Sequence, residues 1–98
     1  MILAIDVGNT NIVLGCIEDG DIRSIVRIQT NPGETAAEYA IKLKQILEIY
    51  GISPRAFEGA IISSVVPPLT NSLKEAVRKL TGIECLVVGP GMRTGMNV

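Results

Sequence analysis

Short runs of apolar residues, separated by turn-forming residues, predict five β-strands. The runs lie at about residues 1–5, 12–17, 22–28, 59–66 and 84–88. Gly20, between the second and third runs, suits a hairpin turn because it accommodates positive φ. The first run is apolar throughout, so we expect that strand to be buried on both faces. Alternation in the third run predicts one covered and one partly wet face, with Ile22, Ser24, Val26 and Ile28 set against Arg23, Ile25 and Arg27.

Two segments with a helical period lie between the later strands. The first has two possible starts, an N-cap at Asn31 before Pro32 or a capping box formed by Thr35 and Glu38, and it ends at Gly51. Its apolar stripe consists of Ala40, Ile41, Leu43, Ile46, Leu47 and Tyr50. The second helix ends before Gly82, and its apolar stripe consists of Leu69, Leu73, Ala76, Val77 and Leu80.

The predicted order of elements is β-β-β-α-β-α-β. Three strands joined by hairpins and then two right-handed crossovers are typical of an α/β ribonuclease-H-like lobe, the unit of the actin-like ATPase superfold. We therefore expect residues 1–88 to form one lobe, a mixed five-stranded sheet with helices packed on it. Residues 89–98 contain three glycines and one proline. We predict that they form a connector toward a second lobe that is absent from this chain.

Charge and hydropathy exclude several classes of partner. Nine basic and ten acidic side chains give a net charge of −1, and aromatic residues make up only 3% of the chain. Nucleic acids and anionic membranes bind concentrated positive charge, and single strands also require aromatic stacking, so we expect neither partner. No stretch reaches the ~18 apolar residues of a membrane helix, and the start lacks a positively charged leader. We expect a cytoplasmic protein.

Histidine is absent from the chain, and there are two cysteines. The lack of histidine removes Ser–His and Cys–His catalytic pairs and most zinc sites. Cys16 and Cys85 lie in apolar, strand-like stretches far apart in the sequence. A disulfide between them is possible and cannot be deduced from spacing. The interpretation we favour is two buried, reduced thiols in a cytosolic protein.

The polar segment after the first strand, Asp6-Val7-Gly8-Asn9-Thr10-Asn11, is the candidate phosphate site. A carboxylate at the end of a buried strand is costly unless a cation such as Mg²⁺ compensates it. Gly8 allows the backbone to approach a phosphate closely, and amide and hydroxyl side chains follow it beside backbone N–H donors. The segment is not a P-loop, because it leads into a strand and lacks Gly-Lys-Ser/Thr. The alternative is that it is simply a favourable turn.

Four motifs in the same order resemble those of type III pantothenate kinases. They are residues 6–11 with Gly15, residues 30–39, residues 63–69 and residues 87–95. The first is similar to the family's first phosphate motif, and the second to its Thr…Thr…Glu-Tyr pattern at a helix start. The third, Ser-Ser-Val-Val-Pro-Pro-Leu, resembles its strand-to-helix motif, and the fourth resembles its run into the substrate site. Ala37 departs from the pattern, since the family often has an acidic residue there.

This resemblance implies transfer of the γ-phosphate of ATP to pantothenate, giving 4'-phosphopantothenate in the first step of coenzyme A synthesis. It also implies a homodimer, Mg²⁺ and a monovalent cation, K⁺ or NH₄⁺. Asp6 is expected to organise the metal, through an indirect contact, and the phosphates. The resemblance assigns the phosphate cradle to Gly8, Asn9, Thr10, Asn11, Ile12 and Val13.

The resemblance also shows what this chain lacks. In the family a Gly-Ala-Asp-Arg motif supplies the expected general base, and this motif does not occur among the 98 residues. No catalytic residue is therefore assigned here, because the expected base lies beyond Val98. We predict that this chain alone is inactive.

Two other functions stay open at this stage. The residues do not fix the acceptor directly, so a kinase of the same superfold could phosphorylate a sugar or a short-chain acid. A non-enzymatic regulatory module would need a basic surface or recognition helix to bind DNA. The second helix instead has Lys74, Arg78 and Lys79 with Glu75 among them, which is an ordinary solvated face.

Overall fold

The computed structural model describes residues 1–88, and its elements follow the predicted order. The strands are β1 (Ile2–Val7), β2 (Asn11–Glu18), β3 (Asp21–Gln29), β4 (Gly59–Ser64) and β5 (Leu86–Val88). The helices are α1 (Ala36–Ile49) and α2 (Pro67–Thr81), with one turn of 3₁₀ helix at Pro54–Ala56. The connector predicted at residues 89–98 lies outside the described part of the chain.

The five strands form one mixed sheet in the order β3-β2-β1-β4-β5. The hairpin-linked strands β1, β2 and β3 are antiparallel to one another, whereas β4 pairs parallel with both β1 and β5. The three parallel strands consequently end at the same edge of the sheet. Ligands of open α/β sheets bind at such carboxyl ends, so this edge is the natural place for a site.

The central strand β1 is covered on one face only. Leu3, Ile5 and Val7 lie in the core with α1 and α2, whereas Ala4 is half-buried and Asp6 is exposed. The expectation that both faces of this strand are buried is therefore wrong. Both crossover helices contribute to a single core, on the face of Leu3, so the opposite face of the sheet is not covered by the described residues.

Helix α1 begins at the capping box, which settles the choice between its two possible starts. The Thr35 hydroxyl accepts the Glu38 N–H, and the Glu38 carboxylate accepts the Thr35 N–H. The Asn31 start is wrong because Asn31 forms a separate turn, in which its side-chain oxygen accepts the Gly33 N–H. Its carbonyl also accepts the Glu34 N–H. Within residues 1–88, no helix has the length and hydropathy needed to cross a bilayer.

A β-bulge in the β2–β3 hairpin changes the predicted faces of β3. Ile17 pairs with Ile22, but the next pair along is Cys16 with Ser24, so Arg23 is an additional residue on β3. Ile22 consequently lies on the uncovered face, where it is 61% exposed. The prediction that Ile22 shares a face with Ser24 is wrong for this reason.

Cys16 and Cys85 are buried free thiols, which confirms that part of the interpretation favoured from the sequence. Burial raises the pKa of the Cys16 thiol. Burial also raises the pKa of the Cys85 thiol, with a smaller opposing effect from Lys74 and a smaller reinforcing effect from Glu84. Both groups are therefore protonated near neutral pH and shielded from reagents.

We predict that both thiols react with a disulfide reagent only when the fold opens. At pH 8 the native protein should react at least roughly 100-fold more slowly than the protein in denaturant, because the thiolate is the nucleophile and native burial disfavours it. Reagent absorbance with time measures this, and cysteine in the same buffer is the control. Fast native reaction of either thiol would contradict its burial.

Candidate phosphate-binding site

The candidate loop is the tight connection between β1 and β2 at the carboxyl end of β1. The Gly8 N–H donates to the Asn11 carbonyl oxygen at 2.8 Å, and the Val65 N–H donates to the Val7 carbonyl oxygen at 3.0 Å. Asn9 and Thr10 are exposed at its tip. A Cβ added at Gly8 would lie 3.1 Å from the Asn11 carbonyl oxygen, which is tighter than an ordinary contact. A side chain at this position would therefore require the loop to shift by a few tenths of an ångström.

Thr30, directly after β3, makes two hydrogen bonds to the same loop. Its side-chain Oγ1 donates to the Gly8 carbonyl oxygen at 2.7 Å, and its backbone N–H donates to the Thr10 carbonyl oxygen at 2.9 Å. The C=O and N–H of a trans peptide point in opposite directions. Holding these two carbonyls therefore directs the N–H groups of Asn9 and Asn11 away from Thr30. Backbone N–H groups fixed in this way can bind an anion.

Asp6 lies beside this loop on the uncovered face. It is exposed, and it pairs in register with Val13 of β2 on one side and Ser63 of β4 on the other. Since neighbouring residues in register share a face, the Asp6 carboxylate, the Ser63 side chain and the Val13 side chain form one row across the sheet. Ser63 is only 7% exposed.

The residues predicted to bind phosphate divide into two groups. Val7 and Ile12 are both 0% exposed and belong to the core. Their side chains therefore fix the strands and only their backbone groups could face a ligand. Asp6, Gly8, Asn9, Thr10, Asn11 and Val13 lie at the loop or on the uncovered face. Thr30 completes the loop, and its contact with Gly8 was not identified from the sequence.

An apolar cleft of about 340 Å³ runs over the uncovered face beside Asp6. Its walls are mainly aliphatic and include Ile17, Ile25 and Ile61, with Asp6 and Ser63 as the polar groups. Ser64 is not among the residues that line the cleft. Its hydroxyl instead donates to the Val66 carbonyl oxygen and accepts the Val66 N–H, both at 3.0 Å, before α2 begins. Ser64 thus satisfies backbone groups at the start of α2.

A magnesium ion at Asp6 would need most of its ligands from elsewhere. Residues 1–88 contain no group of three or more Asp, Glu, Cys or His side chains that could hold a metal. Mg²⁺ in phosphoryl-transfer sites is typically bound through one or two carboxylates, with phosphate oxygens and water completing the octahedron. A single exposed carboxylate next to a phosphate loop fits that kind of ion.

The sheet order and the paired crossover helices define a ribonuclease-H-like lobe of the actin-like ATPase superfold, as expected from the sequence. The chain belongs to the type III pantothenate kinase family, whose model matches residues 2–98. That match covers all four motifs on which the resemblance was based.

Two solved structures share this fold at low sequence identity. A candidate N-acetylglucosamine kinase from Porphyromonas gingivalis matches with a TM-score of 0.67 and 19% identity, over 91% of this chain and 34% of that one. RuvC of T. thermophilus, solved with a Holliday junction substrate, matches with a TM-score of 0.62 and 18% identity, over 96% of this chain and 67% of that one. The present chain thus spans about a third of the kinase's length. At such identities the similarity concerns the fold alone.

We predict that Gly8→Ala disturbs the loop, whereas Gly15→Ala does not. A Cβ at Gly8 meets the Asn11 carbonyl oxygen at 3.1 Å, but a Cβ at Gly15 meets its nearest atom, the Ser24 carbonyl oxygen, at an ordinary 3.8 Å. Gly8→Ala should lower the free energy of unfolding by about 1 kcal/mol or more, while Gly15→Ala should be neutral or slightly stabilising. Urea unfolding measures both, and equal losses would contradict the close approach at Gly8.

Proposed function

We propose that this chain is the phosphate-binding lobe of an enzyme that phosphorylates pantothenate with ATP, giving 4'-phosphopantothenate for coenzyme A synthesis. The observation that carries the proposal is the position of Asp6, an exposed carboxylate beside a hairpin in which Thr30 holds two carbonyl groups. Membership of the type III pantothenate kinase family supports the acceptor. We further propose a cytoplasmic location, in keeping with two buried cysteines that are not joined in a disulfide.

Phosphoryl transfer requires mainly positioning and neutralisation of charge. In the proposed site, the N–H groups of Asn9 and Asn11 bind phosphate oxygens, and Gly8 leaves room for the phosphate to approach. Asp6 would hold Mg²⁺ beside the phosphates through an indirect contact, and would thereby orient them. Mg²⁺, when bound, neutralises the charge that develops on the phosphate oxygens. A second lobe that closed over the aliphatic walls of the cleft would exclude water from this edge of the sheet and so strengthen the electrostatic interactions there.

The remaining parts of the site are proposed to come from outside the described residues. A second lobe would supply the general base, the other wall of the ATP cleft and much of the pantothenate site. The family resemblance also suggests a homodimer and a monovalent cation, K⁺ or NH₄⁺. We accordingly propose that the 98-residue chain by itself does not turn over ATP with pantothenate.

We predict that Asp6→Asn in the protein extended by its proposed second lobe, called the full-length protein below, lowers kcat/KM for ATP by at least ~100-fold, because a neutral amide no longer orients the metal–phosphate unit. The fold should remain, since Asp6 is exposed and outside the core. Asp19→Asn is the matched control. Asp19 lies at the exposed β2–β3 turn with φ 53°, a conformation that Asn also accepts.

A coupled assay of ADP release with pantothenate, Mg²⁺ and K⁺ measures this, and circular dichroism checks the fold. Wild-type turnover in Asp6→Asn would rule out the assigned role of Asp6. A different outcome is that the folded wild-type protein binds Mg·ATP and phosphorylates a sugar or a short-chain acid but not pantothenate. That result would overturn the proposed acceptor without contradicting the proposed phosphate site.

A further inference from the structure

We propose that Thr30 is a positioning residue, whose side chain sets the direction of the phosphate-binding N–H groups in the β1–β2 loop. This inference rests on the proposed function, since it concerns the same phosphate site. Thr30 directly follows β3 and does not belong to the β1–β2 loop. It lies twenty positions after Thr10 in the sequence. The hairpin topology nevertheless places it against both sides of the loop tip.

The two bonds from Thr30 differ in what they require of the side chain. The bond from its N–H to the Thr10 carbonyl oxygen, 2.9 Å, continues the β2–β3 ladder and could be made by any residue except proline. The bond from Oγ1 to the Gly8 carbonyl oxygen, 2.7 Å, requires a hydroxyl at this position. The side chain of Thr30 therefore controls one specific peptide unit, that between Gly8 and Asn9.

That peptide unit decides whether the loop presents a donor or an acceptor to a phosphate. With the Gly8 carbonyl held by Thr30, the Asn9 N–H points away from Thr30, to the side on which we place the phosphate. Without the hydroxyl, glycine on one side allows the unit to rotate, because Gly8 has the widest choice of backbone conformations. A rotated unit would direct a carbonyl oxygen at the phosphate and repel it.

Thr30 is itself held in place by the next residue. The Asn31 N–H donates to the Tyr39 hydroxyl at 3.2 Å, and the same hydroxyl donates to the Asn31 carbonyl oxygen at 2.9 Å. Tyr39 is 0% exposed in α1, and Lys42 lies 5.5 Å from its ring centroid while pairing with Glu34 at 2.7 Å. The helix thus anchors the segment that holds the loop.

The test uses the full-length protein and three variants: Thr30→Val, Thr30→Ser and Thr81→Val. Thr30→Val keeps the shape and the β-branch but removes the hydroxyl. We expect it to raise KM for ATP and the dissociation constant of Mg·ADP about tenfold, the scale of one hydrogen bond, with KM for pantothenate unchanged. Thr30→Ser should restore both values to within about threefold of wild type, because it restores the donor.

Thr81→Val is the matched control for a loss of stability alone. Thr81 makes the same kind of bond, from Oγ1 to the Val77 carbonyl oxygen at 2.7 Å, and it accepts the Ile83 N–H at 3.1 Å. It lies at the far end of α2, about 20 Å along the helix from the end near the loop. This variant should lower Tm without changing KM for ATP. If Thr30→Val does not fold, Thr30→Ala is measured in its place.

The proposal is overturned if the folded Thr30 variant binds Mg·ADP within twofold of wild type, or if Thr81→Val weakens nucleotide binding as much. It is also overturned if Thr30→Ser binds no better than Thr30→Val. Failure of the proposed function gives a different result. In that case wild type would bind Mg·ADP but not phosphorylate pantothenate, and the nucleotide dissociation constants would still decide the role of Thr30.

Discussion

The alternation of side chains along β1 is the constraint on which the site depends. Leu3, Ile5 and Val7 are buried in the core, and a slip of one residue would expose all three and bring Asp6 inside. Burying an uncompensated carboxylate is strongly unfavourable, so both effects fix the same register. The packing that stabilises the sheet therefore also places Asp6 on the uncovered face. Parallel pairing with β4 then brings Ser63 beside it.

Much of the fold could be predicted because its signals are local. The order of elements, the helical stripes and the ends of the helices follow from periodicity and from glycines such as Gly51 and Gly82, both with positive φ. The choice between two starts for α1 could not be made locally. It depends on the Tyr39 hydroxyl, which contacts the Asn31 backbone across eight residues and keeps it out of the helix.

The candidate site could be predicted only in part, and the β-bulge explains why. The residue types from Asp6 to Asn11 were sufficient to propose a phosphate site, and the uncovered face was not foreseen. A two-residue turn at Asp19 and Gly20 with regular pairing would place Gln29 opposite Thr10. The bulge between Cys16 and Ile17 shifts the register by one, so Thr30 takes that position. Nothing in the local sequence specifies this bulge.

The proposed phosphate site differs in its physical basis from a helix N-terminus. At a helix N-terminus several N–H groups are parallel and the helix dipole adds to their effect. A hairpin has no comparable dipole, so each donor must be directed separately. Here the bond from Gly8 to Asn11 closes the loop, and the two bonds from Thr30 orient its carbonyls. In the proposed site, hydrogen bonds that hold a short loop therefore take the place of the helix on which other phosphate sites depend.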